Sequence, residues 1–112
     1  MQALTFEGQV AIVTGAGGGL GREHALALAS RGAKVLVNDL GAGVNGVGGS
    51  VSPAQAVVNE ILALGGEAIA NSASVTDWVA VQAMVQQAVD AWGRVDILIN
   101  NAGILRDKSF AK

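Results

Sequence analysis

The sequence contains no cysteine, no tyrosine, a single proline and a single histidine in 112 residues. Without cysteine there is neither a disulfide nor a thiolate metal ligand, which suits a reducing compartment. Charged residues make up only 14% of the chain, and the net charge is −2. The basic residues are scattered, with no run to neutralise successive phosphates, so no nucleic-acid partner is expected. No unbroken apolar stretch approaches the roughly 20 residues of a membrane span. Residues 1–8 lack the basic patch and following apolar stretch of a secretion signal. These absences predict a soluble, cytoplasmic protein with no membrane partner and no metal site.

What the chain does have is apolar mass and glycine. Hydrophobic residues reach 51%, far from the polar, charged balance of a disordered segment. The 16 glycines follow no period, which excludes collagen-like and low-complexity readings. The length allows one domain at most, with a modest core.

Two periodicities alternate along the chain. Val10-Ala11-Ile12-Val13 is a short apolar run stopped at Thr14 and the glycines beyond it, the pattern of a strand buried on both faces. Leu20 to Arg31 reads as a helix, with Leu20, Ala27 and Leu28 expected on its inner face and Gly32 closing it. Lys34 to Asp39 is the second buried strand, followed by a glycine-rich loop from Leu40 to Gly49. Ser52-Pro53 begins the next helix, a capping hydroxyl followed by proline at the first helical position. Val57, Ile61 and Leu64 follow at helical spacing, and Gly65-Gly66 ends the helix. Glu67 to Ala70 is a weaker strand. Thr76-Asp77 caps a third helix with Val81, Val85, Ala88 and Trp92 facing inward and Gly93 at its end. Val95 to Ile99 is a fourth strand, turning out through Asn100-Asn101-Ala102-Gly103. Strands alternating with helices predict right-handed βαβ crossovers, hence an α/β fold with a doubly wound parallel sheet of four strands and three helices.

Thr14-Gly15-Ala16-Gly17-Gly18-Gly19-Leu20-Gly21 lies where the first strand gives way to a helix. Glycine there permits a tight turn and lets a pyrophosphate approach main-chain N–H groups with no Cβ in the way. The helix start adds free donors and a partial positive charge. The spacing is G-x-x-x-G-x-G through Gly15, Gly19 and Gly21, and the lysine of an ATP-type phosphate loop is absent. Asp39 ends the second strand, where a carboxylate accepts hydrogen bonds from both adenosine ribose hydroxyls and repels a 2′-phosphate. No arginine or lysine lies between Gly15 and Gly21, or between Asp39 and Ser52, to receive that phosphate. The expected cofactor is therefore NAD. On physical grounds alone, Asn-Ala-Gly after the fourth strand reads as a plain turn.

In combination, T-G-x-x-x-G-x-G early in the chain, an acid after strand two and N-N-A-G after strand four resemble the short-chain dehydrogenase/reductase family. The resemblance spans essentially the whole chain. Asn38-Asp39-Leu40-Gly41, the glycine-rich insertion after it, and Asn101-Ala102-Gly103-Ile104-Leu105-Arg106-Asp107 resemble one branch, the (3R)-hydroxyacyl-CoA dehydrogenase units of peroxisomal multifunctional enzymes and their bacterial relatives. The resemblance implies a Rossmann-type NAD-binding domain, of which residues 1–112 are the N-terminal part. It implies that Gly15, Gly19, Leu20 and Gly21 line the pyrophosphate, that Asp39 holds the adenosine ribose, and that Ser74 and Val75 flank the adenine. Many members carry an aspartate where Ser74 stands. Asn101, Ala102 and Gly103 are implied to border the cofactor further along.

The family's proton transfer uses a tyrosine and a lysine in Y-x-x-x-K, with a preceding serine and an asparagine. With no tyrosine in this sequence, no catalytic residue is expected within it. The chain reads as the front of a longer enzyme that interconverts an alcohol and a ketone. The branch implies a 3-hydroxyacyl thioester as substrate, and the family a homodimer or homotetramer as the full-length form. If Lys112 were the true end, the alternative is a non-catalytic dinucleotide-binding module. His24 is read as a surface or packing residue; Trp78 and Trp92 fall on or near the third helix, and Trp92, at core spacing, is read as packing.

Overall fold

The computed structural model describes residues 5–40, 52–74 and 76–101. Four parallel strands, β1 (Val10–Thr14), β2 (Lys34–Asn38), β3 (Glu67–Asn71) and β4 (Ile97–Asn100), form one sheet in the order β3-β2-β1-β4. Three helices connect them: α1 (Gly19–Ser30), α2 (Pro53–Ala63) and α3 (Trp78–Trp92). The expected doubly wound architecture is present. The predicted glycine-rich loop lies largely outside the described residues.

Side chains alternate across each strand, so two cores form. Ala11, Val13, Val35, Val37 and Ala68 face α1 and α2, while Val10, Ile12 and Leu36 face Val81, Met84 and Ala88 of α3. Both faces of β1 and β2 are thereby covered, and this is why their apolar runs are continuous rather than alternating.

The helix starts follow local chemistry. Ser52 caps α2, its hydroxyl accepting from the Gln55 N–H at 3.1 Å, with Pro53 next. Asp77 caps α3 by accepting from the Ala80 N–H at 3.2 Å. The helix faces differ in part from expectation. In α1 the buried residues are Gly21, Ala25 and Leu28, and Leu20 is 69% exposed, with Ala27 also outward. Apolarity alone misplaces this face because its first member is a glycine, which carries no hydrophobic signal. Positions 21, 25 and 28 keep the i, i+4, i+7 spacing of a single stripe. Leu64 is likewise exposed, because α2 stops at Ala63 and the chain turns there. In α3 Met84 is buried beside Val81 and Ala88, while Val85 and Trp92 are half-buried.

The fourth strand begins at Ile97, not Val95, and Asp96, just before it, ties it to β1. The Asp96 N–H donates to the Val10 carbonyl at 2.8 Å, and its carboxylate accepts from the Val10 N–H at 2.9 Å. Arg94 forks onto the same carboxylate, with its Nε at 2.8 Å from Oδ2 and its terminal nitrogen at 2.7 Å from Oδ1. The guanidinium first, and the Val10 N–H second, hold the Asp96 carboxyl below the ordinary carboxylate range. A carboxyl depressed only in the folded state stabilises above its unfolded pKa, and that stabilisation is lost as pH falls through the folded value. Asp96→Asn is therefore expected to lower the unfolding midpoint at neutral pH and to shrink its decline in acid. Parallel pH profiles for parent and variant would overturn this role.

Candidate functional site

The sheet order reverses at β1. From β1 the chain adds β2 and then β3 on one side, and β4 pairs with the other side of β1. Such a reversal opens a crevice at the carboxyl ends of the strands on either side of it. Thr14 and Asn100 end β1 and β4 as register partners, and the Thr14 hydroxyl donates to the Asn100 side-chain oxygen at 3.0 Å. One residue further, the Asn101 amide donates to the Gly15 carbonyl at 3.3 Å. The glycine turn and the Asn100–Asn101 segment are therefore in direct contact at the carboxyl edge of the sheet, on the two sides of the reversal.

The glycines of the turn have different tasks. Gly15 and Gly19 adopt φ of +61° and +56°, a region that side chains disfavour. Gly21 is needed for space. A Cβ there would fall on the Gly15 carbonyl oxygen and within 2.8 Å of the Ala16 Cα. Gly17 meets Asp39: its N–H donates to the Asp39 carboxylate at 2.7 Å, and a Cβ on it would lie 2.5 Å from Pro53 Cβ and 2.7 Å from that carboxylate oxygen. The Ala16 N–H donates to the Asn38 carbonyl at 2.8 Å. Main chain is thus packed on main chain at Gly21, and against the Asp39 and Pro53 side chains at Gly17. The cradle it forms beside α1 is one that added methyl groups would fill. No side chain caps α1, and no acidic residue lies in its first turn. Its leading N–H groups and partial positive charge accordingly suit an anion.

Asp39 follows β2 directly, half-buried, with its own N–H donating to the Asn71 carbonyl at 3.0 Å. Ser74 lies three residues past β3, where its hydroxyl meets the Thr76 hydroxyl at 2.7 Å and its carbonyl accepts from the Asp77 N–H at 3.1 Å. Gly15, Asp39, Ser74 and Asn101 thus follow the carboxyl ends of strands, and Gly19 and Gly21 lie in the first turn of α1. Leu20 stands exposed in the first turn of α1. Val75, Ala102 and Gly103 lie outside the described residues.

Sequence reasoning missed several neighbours of this site. Gly17 was absent from the glycine spacing, yet its N–H bonds the Asp39 carboxylate. Asn38, an amide within an apolar strand, carried a usable signal and is buried at the strand end. Arg22 and Glu60 carried none. Their bidentate ion pair joins α1 to α2 just beyond the turn, through Arg22 Nε to Glu60 Oε1 at 2.9 Å and a second contact from the Arg22 terminal nitrogen to Glu60 Oε2. The hydrogen bonding raises the Arg22 pKa and lowers that of Glu60. Arg22 is therefore already engaged, although it stands next to Gly21. Among the described residues no group of histidine or acidic side chains could hold a metal ion, and no helix is long and apolar enough to cross a membrane.

A family model described as short chain dehydrogenase matches residues 9–112. The chain belongs to the short-chain dehydrogenase family. It is 57% identical over 109 residues to peroxisomal multifunctional enzyme type 2 of Drosophila melanogaster, covering 97% of this chain but only 18% of that protein. A crystal structure of a short-chain dehydrogenase from Mycobacterium avium superposes with a TM-score of 0.80 at 54% identity, over 94% of this chain and 36% of the other. A 7α-hydroxysteroid dehydrogenase complexed with NADH and 7-oxo glycochenodeoxycholic acid matches with a TM-score of 0.73 at 38% identity, over 84% of this chain and 33% of that one. The chain therefore spans well under half the length of these relatives. In family terms the described residues hold the glycine turn, the acid after β2 and the asparagines after β4.

Proposed function

We propose that this segment holds the adenosine and pyrophosphate end of NAD in an oxidoreductase that interconverts an alcohol and a ketone. The observation that carries the reading is the Asp39 carboxylate held at 2.7 Å by the Gly17 N–H, in a turn where Gly17 and Gly21 leave no room for a side chain. A negative charge fixed there accepts from ribose hydroxyls and repels a 2′-phosphate. The 7α-hydroxysteroid dehydrogenase with bound NADH supports a nicotinamide dinucleotide in this fold.

In this reading the turn from Gly15 to Gly21 and the start of α1 bind the pyrophosphate through N–H groups, and Asp39 orients the ribose. Ser74 and Val75 flank the adenine, and Asn101, Ala102 and Gly103 border the cofactor towards its nicotinamide end. When bound, NAD supplies the hydride acceptor. The substrate proton needs a group from outside these residues, since the sequence has no tyrosine. The multifunctional-enzyme relative supports a 3-hydroxyacyl thioester as substrate class, and the full-length form is read as a homodimer or homotetramer. The sequence predicts a cytoplasmic enzyme, whereas the Drosophila relative is named as peroxisomal. A peroxisomal address would leave the chemistry unchanged.

The test is a titration of the full-length protein with NAD and NADP, followed by an assay of NADH formation from a 3-hydroxyacyl thioester. Tighter NAD binding and thioester-dependent reduction are expected. A preference for NADP would overturn the role of Asp39. NAD binding without turnover of any alcohol would favour a non-catalytic dinucleotide module.

A further inference from the structure

We propose that Gln87, Asn71 and Asn38 form an amide relay that sets the turn on the adenine side of the site. Gln87, on the flank of α3, is then a positioning residue for cofactor affinity. The inference rests on the nicotinamide-dinucleotide reading above.

Asn38 ends β2, is 1% exposed, and is the register partner of Asn71 at the end of β3. Its amide nitrogen donates both to the Asn71 side-chain oxygen at 2.9 Å and to the Ala73 carbonyl at 3.0 Å. The same Asn71 oxygen accepts from the Ala73 N–H at 2.8 Å. The Asn71 amide nitrogen donates to the Gln87 side-chain oxygen at 2.8 Å, and the Gln87 nitrogen donates to the Ala70 carbonyl at 3.2 Å. Three side chains from β2, β3 and α3 thus run in one direction of donation.

Main-chain groups fix that direction. The Ala73 N–H can only donate, so Asn71 must turn its oxygen towards it. The Ala73 and Ala70 carbonyls can only accept, so Asn38 and Gln87 must turn their nitrogens to them. Reversing Asn71 or Gln87 would set like atom against like at both ends, and reversing Asn38 would set its oxygen against the Asn71 oxygen and the Ala73 carbonyl. Such contacts favour one geometry most strongly at Asn38, which is buried, where an unmade bond would leave a desolvated group unpaired.

The relay acts on two site elements at once. Asn71 holds Ala73, immediately before Ser74, through its side chain, and holds the Asp39 N–H at 3.0 Å through its carbonyl. From the other direction, the Ser74 carbonyl and hydroxyl are held by the Asp77 and Thr76 N–H groups. Gln87 itself lies in a shallow groove with Ile69, Ala83, Gln86, Asp90 and Ala91, away from the glycine turn. Its removal should loosen the turn between Asn71 and Ser74 without touching the cradle.

The experiment compares parent and Gln87→Met in the full-length enzyme, reading Kd for NAD and for AMP together with kcat at saturating NAD. Both residues are good helix formers, so α3 should persist. Loss of the relay is expected to raise Kd for NAD and for AMP by the same factor, about three- to tenfold for a lost hydrogen-bonded partner, with kcat unchanged. Gln87→Glu keeps the acceptor for Asn71 but not the donor for Ala70, and is expected to fall between. A purely structural role would lower the melting temperature while leaving Kd for AMP at the parent value, and that result in both variants would overturn the relay alone. A parent that binds neither NAD nor AMP would overturn the dinucleotide reading and the relay with it.

Discussion

Gly21→Ala is expected to destabilise the protein by about 1–3 kcal/mol, the range for forcing a methyl group into closed packing, and to abolish most dinucleotide affinity. The added Cβ would fall on the Gly15 carbonyl oxygen and close on the Ala16 Cα. Neither atom belongs to a flexible side chain that could swing away. The turn is tied by the Ala16 N–H to Asn38 at 2.8 Å and by the Gly15 carbonyl to Asn101 at 3.3 Å. It can make room only by giving up those bonds or by pushing α1 off β1. Gly18 provides the control within the same turn. Its backbone is extended, and a Cβ there meets nothing within 4 Å. Gly18→Ala should therefore cost well under about 1 kcal/mol, as an N-cap change with no lost side-chain bond. Denaturant unfolding of the two variants checks the contrast. Equal midpoints would mean that the turn yields freely and that the close approach at Gly21 has no energetic weight.

Asp39→Ala is expected to weaken NAD binding by roughly ten- to a hundredfold, as removal of charged hydrogen bonds to two ribose hydroxyls implies. It should also raise the affinity for NADP relative to NAD, because the charge that opposes a 2′-phosphate is gone. Part of the loss is internal, since the Gly17 N–H bonded to this carboxylate at 2.7 Å is left without that acceptor. Asp39→Asn separates the two effects: it retains an acceptor oxygen for Gly17 but removes the charge. The variant should keep more of the NAD affinity than alanine does, while tolerating NADP equally. Paired titrations with the two dinucleotides measure this. An unchanged NADP-to-NAD ratio in both variants would show that specificity is set elsewhere.

Local chemistry made much of this legible. Ser52-Pro53 and Asp77 start their helices as their side chains dictate, and Gly93 at φ +82° ends α3 as the sequence suggests. The apolar runs of β1 and β2 announced strands covered on both faces. The inner face of α1 was misread, because a helix that packs through Gly21 buries backbone where hydrophobic counting looks for side chains. The site was legible only as separate pieces. Gly15, Gly19, Gly21 and Asp39 were identified by type and position. Their contact through Gly17, the engagement of Arg22 by Glu60 and the amides behind Ser74 were not.

By itself, the sequence determined the alternation of strands and helices, the glycine turn and the acid that follows β2, because each depends on neighbours within a few residues. Only the tertiary structure decided that β4 lies beside β1, so that Thr14 and Gly15 meet Asn100 and Asn101. It also decided that Asn38, Asn71 and Gln87 meet. Those partners are brought together by the order of strands in the sheet and the packing of helices on it. Both arise from burying two apolar faces at once, and no local run of residues encodes them.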